Sequence, residues 1–385
     1  MSRTHITLPP DAHILVVKLA GIGDLLLATP ALQALRETYA QARIDLLVTP
    51  ESAGLLNGWD VINNIIVLDK YLFDSPKQFI TNPQSFRPLA ALWKTLHAGQ
   101  YDAVLLLHHL TLRFERLKHQ VLMRASGAKW RVGLDNGHGW FLNVRVRDDG
   151  FGAKHEAEYS MAIAEAVGAK VHNKHLIVPL SDAERAQARQ LVFQDASEET
   201  ITRPIIAMHP GSGGYSTARR WAPERFAQLA DTLYRDAGAQ LLLMGGPEEA
   251  ELHQRITQMM QSGMPVRSLA GKGSIKVATA VLELVDLFIG NDAGLMHLAA
   301  AVDTPIVAIF GLSNQKAWGP YTGEKNSKRA VIVSLDIPCM PCFYRGHELG
   351  TPEGCATRDC LASLGVDPVA TAARHMLREQ VKHKK

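Results

Sequence analysis

The sequence feature that most constrains the fold is a regular alternation of short apolar runs with amphipathic helical segments. In the first half, buried strands are predicted at residues 13–17, 44–48, 65–68 and 103–107, and helices at residues 24–39 and 89–97. Strands that alternate with helices usually form parallel sheets, so this half is predicted to be α/β.

The same alternation begins again in the second half. A charged helical stretch at residues 182–193 and a polar run at residues 195–202 separate the halves and form the best linker candidate. Further strands are predicted at residues 205–208, 240–244, 285–289 and 305–310. We therefore expect two Rossmann-like domains, residues 1–180 and 181–385, whose parallel sheets face a central cleft.

Composition excludes several classes of protein. Hydrophobic residues make up 46% of the chain and charged residues 21%, which is typical of a globular protein. A net charge of +3 is too small to indicate a nucleic-acid partner, although it suits an anionic substrate or membrane surface. Residues 1–10 lack the apolar core of a signal peptide and no run is long enough to span a bilayer, so a cytoplasmic location is predicted.

A small-residue loop, Gly290–His297, follows one predicted strand and precedes a predicted helix. Strand, glycine turn and helix in this order place backbone N–H groups at the carboxyl edge of a parallel sheet, where anionic ligands bind. Within it, Asp292 either contacts such a ligand or caps the helix, and the segment alone does not separate the two.

A similar loop follows the first strand and contains Gly21, Gly23 and Asp24. Its glycines permit close approach to a ligand, but the third glycine of a dinucleotide-binding motif is missing. Asp24 either caps the following helix or, facing a cleft, accepts a proton from an attacking hydroxyl group.

Two loops of the second half suit a nucleoside diphosphate. Residues 209–221 combine glycines, Ser212 and Arg219 before a helix, which suits a diphosphate, although one arginine alone could be a solvated surface charge. No Walker pattern is present, which disfavours kinase or ATPase chemistry. Residues 245–249 end in Glu249, which could accept hydrogen bonds from ribose hydroxyl groups or favour a helix N-terminus electrostatically. Residues 270–274 could contact a base or form an ordinary turn.

These segments, in this order and separation, resemble glycosyltransferase family 9, which contains the ADP-heptose:lipopolysaccharide heptosyltransferases. The matching stretches are residues 14–30, 209–221, 245–249 and 290–297, and the resemblance covers nearly the whole chain. It implies an α/β fold of the GT-B type, with the donor bound mainly by the C-terminal domain and the acceptor by the N-terminal one. It also implies an inverting transfer that requires no metal or other cofactor.

The resemblance further implies individual roles. Asp24 matches the general base, in the loop that contains Gly21 and Gly23. Contacts with the donor are implied for nine residues: Gly211, Ser212 and Arg219 at the phosphates, Glu249 at the ribose, Gly273 and Ser274 at the adenine, and Asp292, Ala293 and Gly294 at the sugar and phosphate. The family usually has lysine where Arg219 stands, which preserves charge and changes geometry. Residues 213–216 look like an insertion compared with some relatives. The individual hydrogen-bond donors to the phosphates in this loop therefore stay unassigned.

We expect transfer of heptose from ADP-heptose to a lipopolysaccharide core or related glycan. The alternatives are another nucleotide sugar, a protein acceptor, or a nucleotide-sugar-binding protein that has lost catalysis. Retention of Asp24 argues against the last of these.

All four cysteines lie near the C-terminus, at Cys339, Cys342, Cys355 and Cys360. Their spacing resembles a tetrathiolate clip that would hold a structural zinc or iron ion, but the wide CxxxxC spacing of the second pair weakens the match. Free thiols or a disulfide are the alternatives, and a cytoplasmic setting counts against the disulfide.

A group of basic residues follows the strand at 103–107, namely Arg113, Arg116, Lys118, Arg124, Lys129 and Arg131. Individually these are expected to be solvated charges. As a group, they could meet phosphates or carboxylates of a lipid-linked oligosaccharide, with peripheral contact at the inner face of the membrane.

Overall fold

The computed structural model of the chain describes residues 4–70, 86–194, 204–323 and 328–383. The chain divides into two compact units: unit 1 contains Met1–Lys174 with Gly346–Glu348, and unit 2 contains His175–Arg345 with Leu349–Lys385. Each unit contains one six-stranded sheet in which all neighbouring strands pair in parallel. The predicted α/β class is confirmed.

The described residues of unit 1 form six strands and six α-helices. The strands are β1 (His13–Lys18), β2 (Arg43–Val48), β3 (Asn64–Val67), β4 (Ala103–Leu106), β5 (Trp130–Asp135) and β6 (Val144–Arg147). The helices are α1 (Ile22–Leu26), α2 (Thr29–Thr38), α3 (Pro50–Ala53), α4 (Phe86–Ala98), α5 (Arg113–Ala125) and α6 (Glu156–Glu165). The strand order is β3-β2-β1-β4-β5-β6, which is the Rossmann order. From β1 the chain adds strands first toward one edge of the sheet and then, from β4, toward the other. The boundary between β1 and β4 is the switch point beside which such folds bind ligands.

Unit 2 repeats this order. Its sheet contains β7 (Ile205–His209), β8 (Gln240–Leu243), β9 (Val266–Ser268), β10 (Leu287–Asn291), β11 (Ile306–Ile309) and β12 (Ala330–Val333). Read from the other edge the order is β9-β8-β7-β10-β11-β12, so the switch point lies between β7 and β10. The remaining strands β13 (Phe343–Arg345) and β14 (Glu348–Gly350) pair with each other.

The helices of the second half are α7 (Asp182–Phe193), α8 (Pro223–Ala237), α9 (Ala250–Met259), α10 (Ile275–Glu283), α11 (Gly294–Ala301), α12 (Gln315–Trp318), α13 (Asp359–Ala362) and α14 (Val366–His383). Helix α7 has the bounds predicted from the sequence. It begins with a capping box, because the Ser181 side chain accepts from the Glu184 N–H and the Glu184 side chain accepts from the Ser181 N–H. The polar run predicted as the linker, residues 195–202, lies outside the described residues.

One predicted helix is wrong in its continuity. The segment predicted as a single helix over residues 24–39 is two helices, α1 and α2, with a break at residues 27–28. Pro30 lies in the first turn of α2, where its missing N–H costs nothing, and it cannot donate to the carbonyl of Leu26. The hydroxyl of Thr29 donates to that carbonyl instead, at 2.7 Å.

No described helix of the chain combines the length and the apolar character that crossing a bilayer requires.

Candidate active site

The switch point of unit 2 brings together two of the predicted donor loops, which follow β7 and β10. Asn291 ends β10, is fully buried, and joins them. Its Nδ2 donates to the carbonyls of Pro210 and Gly211, at 2.8 and 3.0 Å, and its Oδ1 accepts from the Trp221 N–H at 3.0 Å. Because one side chain satisfies backbone groups of both ends of the 209–221 loop, the two loops form a single supported structure.

Arg219 and Asp292 pair across these loops. Arg219 Nη1 lies 3.4 Å from Asp292 Oδ2, and its Nη2 donates to the carbonyl of Ser212 at 3.0 Å. The Nε of Arg219 is buried and has no hydrogen-bond partner, so this N–H group of the guanidinium is unused. A phosphate oxygen is the kind of acceptor that this donor lacks.

The structure also separates the two interpretations of Asp292. Helix α11 begins at Gly294, its N-cap residue is Ala293, and no side chain caps it. Asp292 therefore does not cap the helix. Likewise, Gly21 is the N-cap residue of α1, and Asp24 lies in its first turn rather than at the cap.

Glu249 packs against the loops that contain Gly211 and Gly245 and is 2% exposed. Its Oε2 bonds with His209 Nε2 at 3.0 Å and accepts from the Gly246 N–H at 3.3 Å, while Arg220 Nη2 lies 3.6 Å from Oε1. Burial alone would raise the pKa of Glu249, but the hydrogen bond and charge of His209 and the charge of Arg220 lower it below the usual value. Glu249 is thus held as a carboxylate inside the loop base.

Two glycines lie where the loops pass close to Glu249. A Cβ on Gly211 would lie 1.5 Å from Glu249 Oε1, and one on Gly245 would lie 2.2 Å from Oε2. Gly211 and Gly245 therefore allow the two loops to pack closely against this carboxylate.

Two predicted donor-binding hydroxyls have structural partners. Ser212 Oγ donates to the carbonyl of Ser216 at 2.8 Å and accepts from Arg220 Nε at 3.1 Å. Ser274 Oγ accepts from the Val277 N–H at 3.2 Å and so caps α10. Gly273 has φ of +93°, a backbone conformation that favours glycine.

At the switch point of unit 1, the loop that contains Asp24 is tied to β4. Lys18 Nζ donates to the carbonyl of Leu107 at 2.9 Å, and the Leu19 N–H donates to His108 Nε2 at 2.7 Å. Burial, with the charges of His119 and Lys18, lowers the pKa of His108 well below its usual value, which keeps Nε2 free to accept. The Asp24 carboxylate lies over Gly21, with Oδ2 3.9 Å from the position of a Cβ on that glycine.

Beside this loop, unit 1 contains a buried charged cluster that the sequence did not reveal. His109 Nδ1 lies 2.9 Å from Asp148 Oδ2, and its Nε2 lies 3.0 Å from Glu156 Oε1. Burial disfavours the charged ring, but hydrogen bonds with both carboxylates and their charges outweigh it and raise the pKa of His109 to about 9. His347 Nε2 lies 3.4 Å from Asp148 Oδ1.

Comparison with known proteins identifies the family. The family model of glycosyltransferase family 9 (heptosyltransferase) matches residues 89–351, more than half of the chain. The chain belongs to glycosyltransferase family 9. The resemblance stated from the sequence is confirmed, and the protein is a glycosyltransferase.

Among the relatives of this family 9 protein is lipooligosaccharide heptosyltransferase 2 of Campylobacter jejuni, which is 25% identical over 93% of this chain and 96% of its own. The structure of Escherichia coli ADP-heptose lps heptosyltransferase II superposes with a TM-score of 0.67 at 21% identity, over 96% of this chain and 99% of its own. The iron-containing dodecameric glycosyltransferase TibC of enterotoxigenic E. coli superposes with a TM-score of 0.56 at 15% identity, over 97% of this chain and 78% of its own. Both likenesses show the GT-B fold.

Within the described residues, no three His, Cys, Asp or Glu side chains gather where a metal could be held, so the predicted tetrathiolate clip lacks support. Cys339 and Cys355 are exposed and Cys360 is buried. Cys355 Sγ accepts from the Arg358 N–H at 3.2 Å, which lowers the pKa of this thiol.

The sequence analysis assigned no role to three residues that the structure places in these contacts: His209, Asn291 and His109. Two of them end strands, His209 at the end of β7 and Asn291 at the end of β10. Polar residues at the carboxyl ends of switch-point strands were the signal that could have found them.

Proposed function

We propose that the protein transfers heptose from ADP-heptose to a glycan of the lipopolysaccharide core, with inversion and without a metal cofactor. The C. jejuni relative is named as a lipooligosaccharide heptosyltransferase, and TibC has been solved in complex with ADP-D-beta-D-heptose. The observation that carries the proposal is the Arg219–Asp292 pair at the switch point of unit 2, with the Nε of Arg219 buried and unpartnered. Such a group is suited to an anionic ligand.

The donor diphosphate would be held by residues of unit 2. Arg219 supplies a guanidinium, and N–H groups of the 209–221 loop supply neutral donors. As the bond between the anomeric carbon and the diphosphate breaks, negative charge grows on the departing ADP. A fixed guanidinium stabilises this charge where it develops, which a metal ion would otherwise do.

Asp292 would help to bind the donor sugar. In the structure its carboxylate pairs with Arg219, and a bound phosphate would compete for that guanidinium. The Asp292 carboxylate would then accept hydrogen bonds from hydroxyl groups of the donor sugar. Glu249 is proposed for the ribose, and Gly273 with Ser274 for the adenine, as the family resemblance implies.

Asp24 would act as the general base. The acceptor hydroxyl oxygen forms the new bond to the anomeric carbon, the bond to the diphosphate oxygen breaks, and the hydroxyl proton passes to the Asp24 carboxylate. Attack on the side opposite the leaving group inverts the anomeric centre. In this scheme residues 1–180 bind the acceptor and residues 181–385 bind the donor, and no step uses the cysteines. A lipid-linked acceptor would bring the enzyme into peripheral contact with the inner membrane.

The test is direct. The purified protein is incubated with ADP-heptose and lipopolysaccharide extracted from a strain that lacks core heptose, and the products are analysed by mass spectrometry. The proposal expects release of ADP and an acceptor heavier by one heptose residue. ADP-heptose that binds without turnover would support a non-catalytic protein instead, and transfer only from another nucleotide sugar would overturn the choice of donor.

A further inference from the structure

One surface of unit 1 combines strong positive charge with exposed apolar side chains. Residues 112–145 contain seven basic and two acidic side chains, a formal net charge of +5, whereas the whole chain carries +3. The rest of the chain is therefore net negative, at −2. Positive charge is concentrated in this segment and is not a general property of the protein.

Helix α5 presents an exposed face within that segment. Arg113, Leu117, Val121 and Arg124 recur at helical spacing and are all exposed, with Leu117 at 53% and Val121 at 47%. Leu112, immediately before the helix, is also exposed. Aliphatic side chains between arginines, all turned to solvent, are typical of helices that lie in a membrane interface.

Trp140 extends this face beyond the helix. It is 63% exposed, and the guanidinium of Arg124 lies 5.6 Å from the centre of its ring. An indole ring at the surface beside arginine is well suited to the headgroup layer of a bilayer, where its apolar body and its N–H are both accommodated. We call the set Leu112, Arg113, Leu117, Val121, Arg124 and Trp140 the α5–Trp140 surface.

A cavity of about 280 Å³ opens at the same place, lined in part by Arg124, Arg131, Arg145 and Trp140. Two of these arginines are fixed by backbone carbonyls: Arg131 Nε donates to Phe141 at 2.8 Å and Arg145 Nε donates to Leu142 at 3.2 Å. Arg145 Nη1 also lies 3.4 Å from Asp135 Oδ2, so Arg124 and Arg131 are the guanidinium groups best placed to receive an anion of the size of a phosphate.

The cavity lies away from the reaction chemistry of unit 1. Arg131 and Asn143 lie at the amino ends of β5 and β6, where Arg131 N–H donates to Asn143 Oδ1 at 2.7 Å. Asp24 follows the carboxyl end of β1 in the same parallel sheet, and is therefore at the opposite edge. The cavity is not part of the site that contains Asp24.

We propose that the α5–Trp140 surface docks on the anionic face of a phospholipid bilayer, with a lipid phosphate entering the cavity. A second copy of the chain is the less suitable occupant, because a symmetric contact would place these arginines against one another. The inference deepens the proposed function, on which it rests for its purpose, since it names the surface that would bring the enzyme to a lipid-linked acceptor.

Vesicle flotation tests the proposal with the full chain. Phosphatidylcholine vesicles with and without phosphatidylglycerol are compared, and binding is expected only when the anionic lipid is present. Arg124→Glu and Trp140→Ala should each weaken binding by about tenfold. Two matched variants should bind as the native chain does: Arg235→Glu, an exposed arginine of unit 2 with the same charge change, and Trp93→Ala, a tryptophan of unit 1 that is 49% exposed.

Quenching of tryptophan fluorescence by brominated lipid adds a positional readout. The lipid should quench the fluorescence of Trp140, and this quenching should be lost in Trp140→Ala. Equal binding to neutral vesicles, or equal loss in the matched variants, would overturn the proposal, as would self-association that Arg124→Glu abolishes. Heptose transfer to a delipidated glycan separates the two ideas. If transfer stands without vesicle binding, only the docking surface is wrong, and if binding stands without transfer, only the proposed function is wrong.

Discussion

The guanidinium of Arg219 lies 3.4 Å from the carboxylate of Asp292, and this pair joins two loops that leave the sheet of unit 2 on either side of its switch point. Arg219 belongs to a short 3₁₀ turn ahead of α8, and Asp292 directly follows β10. The pair is therefore set by the topology of the sheet and not by neighbouring positions in the sequence. A ligand phosphate at this place would exchange one anionic partner of Arg219 for another.

Replacing Arg219 should weaken use of the nucleotide sugar more than it weakens the fold. Arg219→Ala removes the guanidinium proposed to stabilise the departing diphosphate, so kcat/KM for the donor should fall about a hundredfold. Arg219→Lys keeps the charge without the planar donor pair and should lose less. Steady-state ADP release gives both values. Arg235→Ala, at an exposed position of α8, is the control, and equal kcat/KM for Arg219→Ala and the native enzyme would exclude this role.

Gly211 offers a test of the close packing over Glu249. A Cβ at this position would lie 1.5 Å from Glu249 Oε1, so Gly211→Ala must displace either the loop or the carboxylate. We expect a loss of stability of about 1–3 kcal/mol in urea denaturation and weaker donor binding. Gly214→Ala is the matched control, because it lies in the same loop and a Cβ there meets nothing within 4 Å. If the two variants behave alike, the packing argument fails.

Asn291 should matter for stability although it need not touch a substrate. Asn291→Ala leaves the carbonyls of Pro210 and Gly211 and the N–H of Trp221 without their buried partner. Unsatisfied buried groups of this kind are costly, so the free energy of unfolding should fall by about 3 kcal/mol. Urea denaturation measures the loss. A loss of less than about 1 kcal/mol would mean that the two loops do not depend on Asn291.

The cluster around His109 predicts a dependence of stability on pH. The pKa of His109 is raised from 6.5 to about 9, so the folded chain binds the imidazole proton more tightly than the unfolded chain does. The stabilisation is complete below about pH 6.5 and is lost as the pH rises through 9, and its full size is about 3 kcal/mol.

His109→Gln should remove that dependence. Relative to the native protein, the variant should be destabilised most near pH 6 and least near pH 10, as measured by urea denaturation across this range. His5→Gln, at an exposed histidine of the same unit, is the control. A destabilisation that does not vary with pH would show that folding does not raise the pKa of His109.

Much of the fold could be predicted from local patterns. Buried strands such as β1 and β10 are continuous apolar runs, and each is followed by a glycine-containing loop and a helix, so strand, loop and helix could be assigned from neighbouring residues alone. Strand β6 was missed because its sequence alternates valine with arginine, as an edge strand with one exposed face does. The break between α1 and α2 was missed although Pro30 marks it.

The candidate site was predictable in its loops and not in its pairs. Asp292 and Arg219 were each found from loop composition, but their contact depends on which strands lie beside the switch point. The burial of Glu249 beneath Gly211 joins residues 38 positions apart, and the contact of His109 with Glu156 joins residues 47 apart. Such contacts depend on the register of a folded sheet, which no local pattern encodes.

The measurement that tests the central claim most directly is transfer by Asp24→Asn. With ADP-heptose and a heptose-deficient lipopolysaccharide acceptor, we expect ADP release at least about a hundredfold slower than for the native enzyme, because the amide cannot take the proton of the acceptor hydroxyl. Donor affinity, measured by calorimetry with ADP, should be unchanged. Transfer by Asp24→Asn at the native rate would contradict the account.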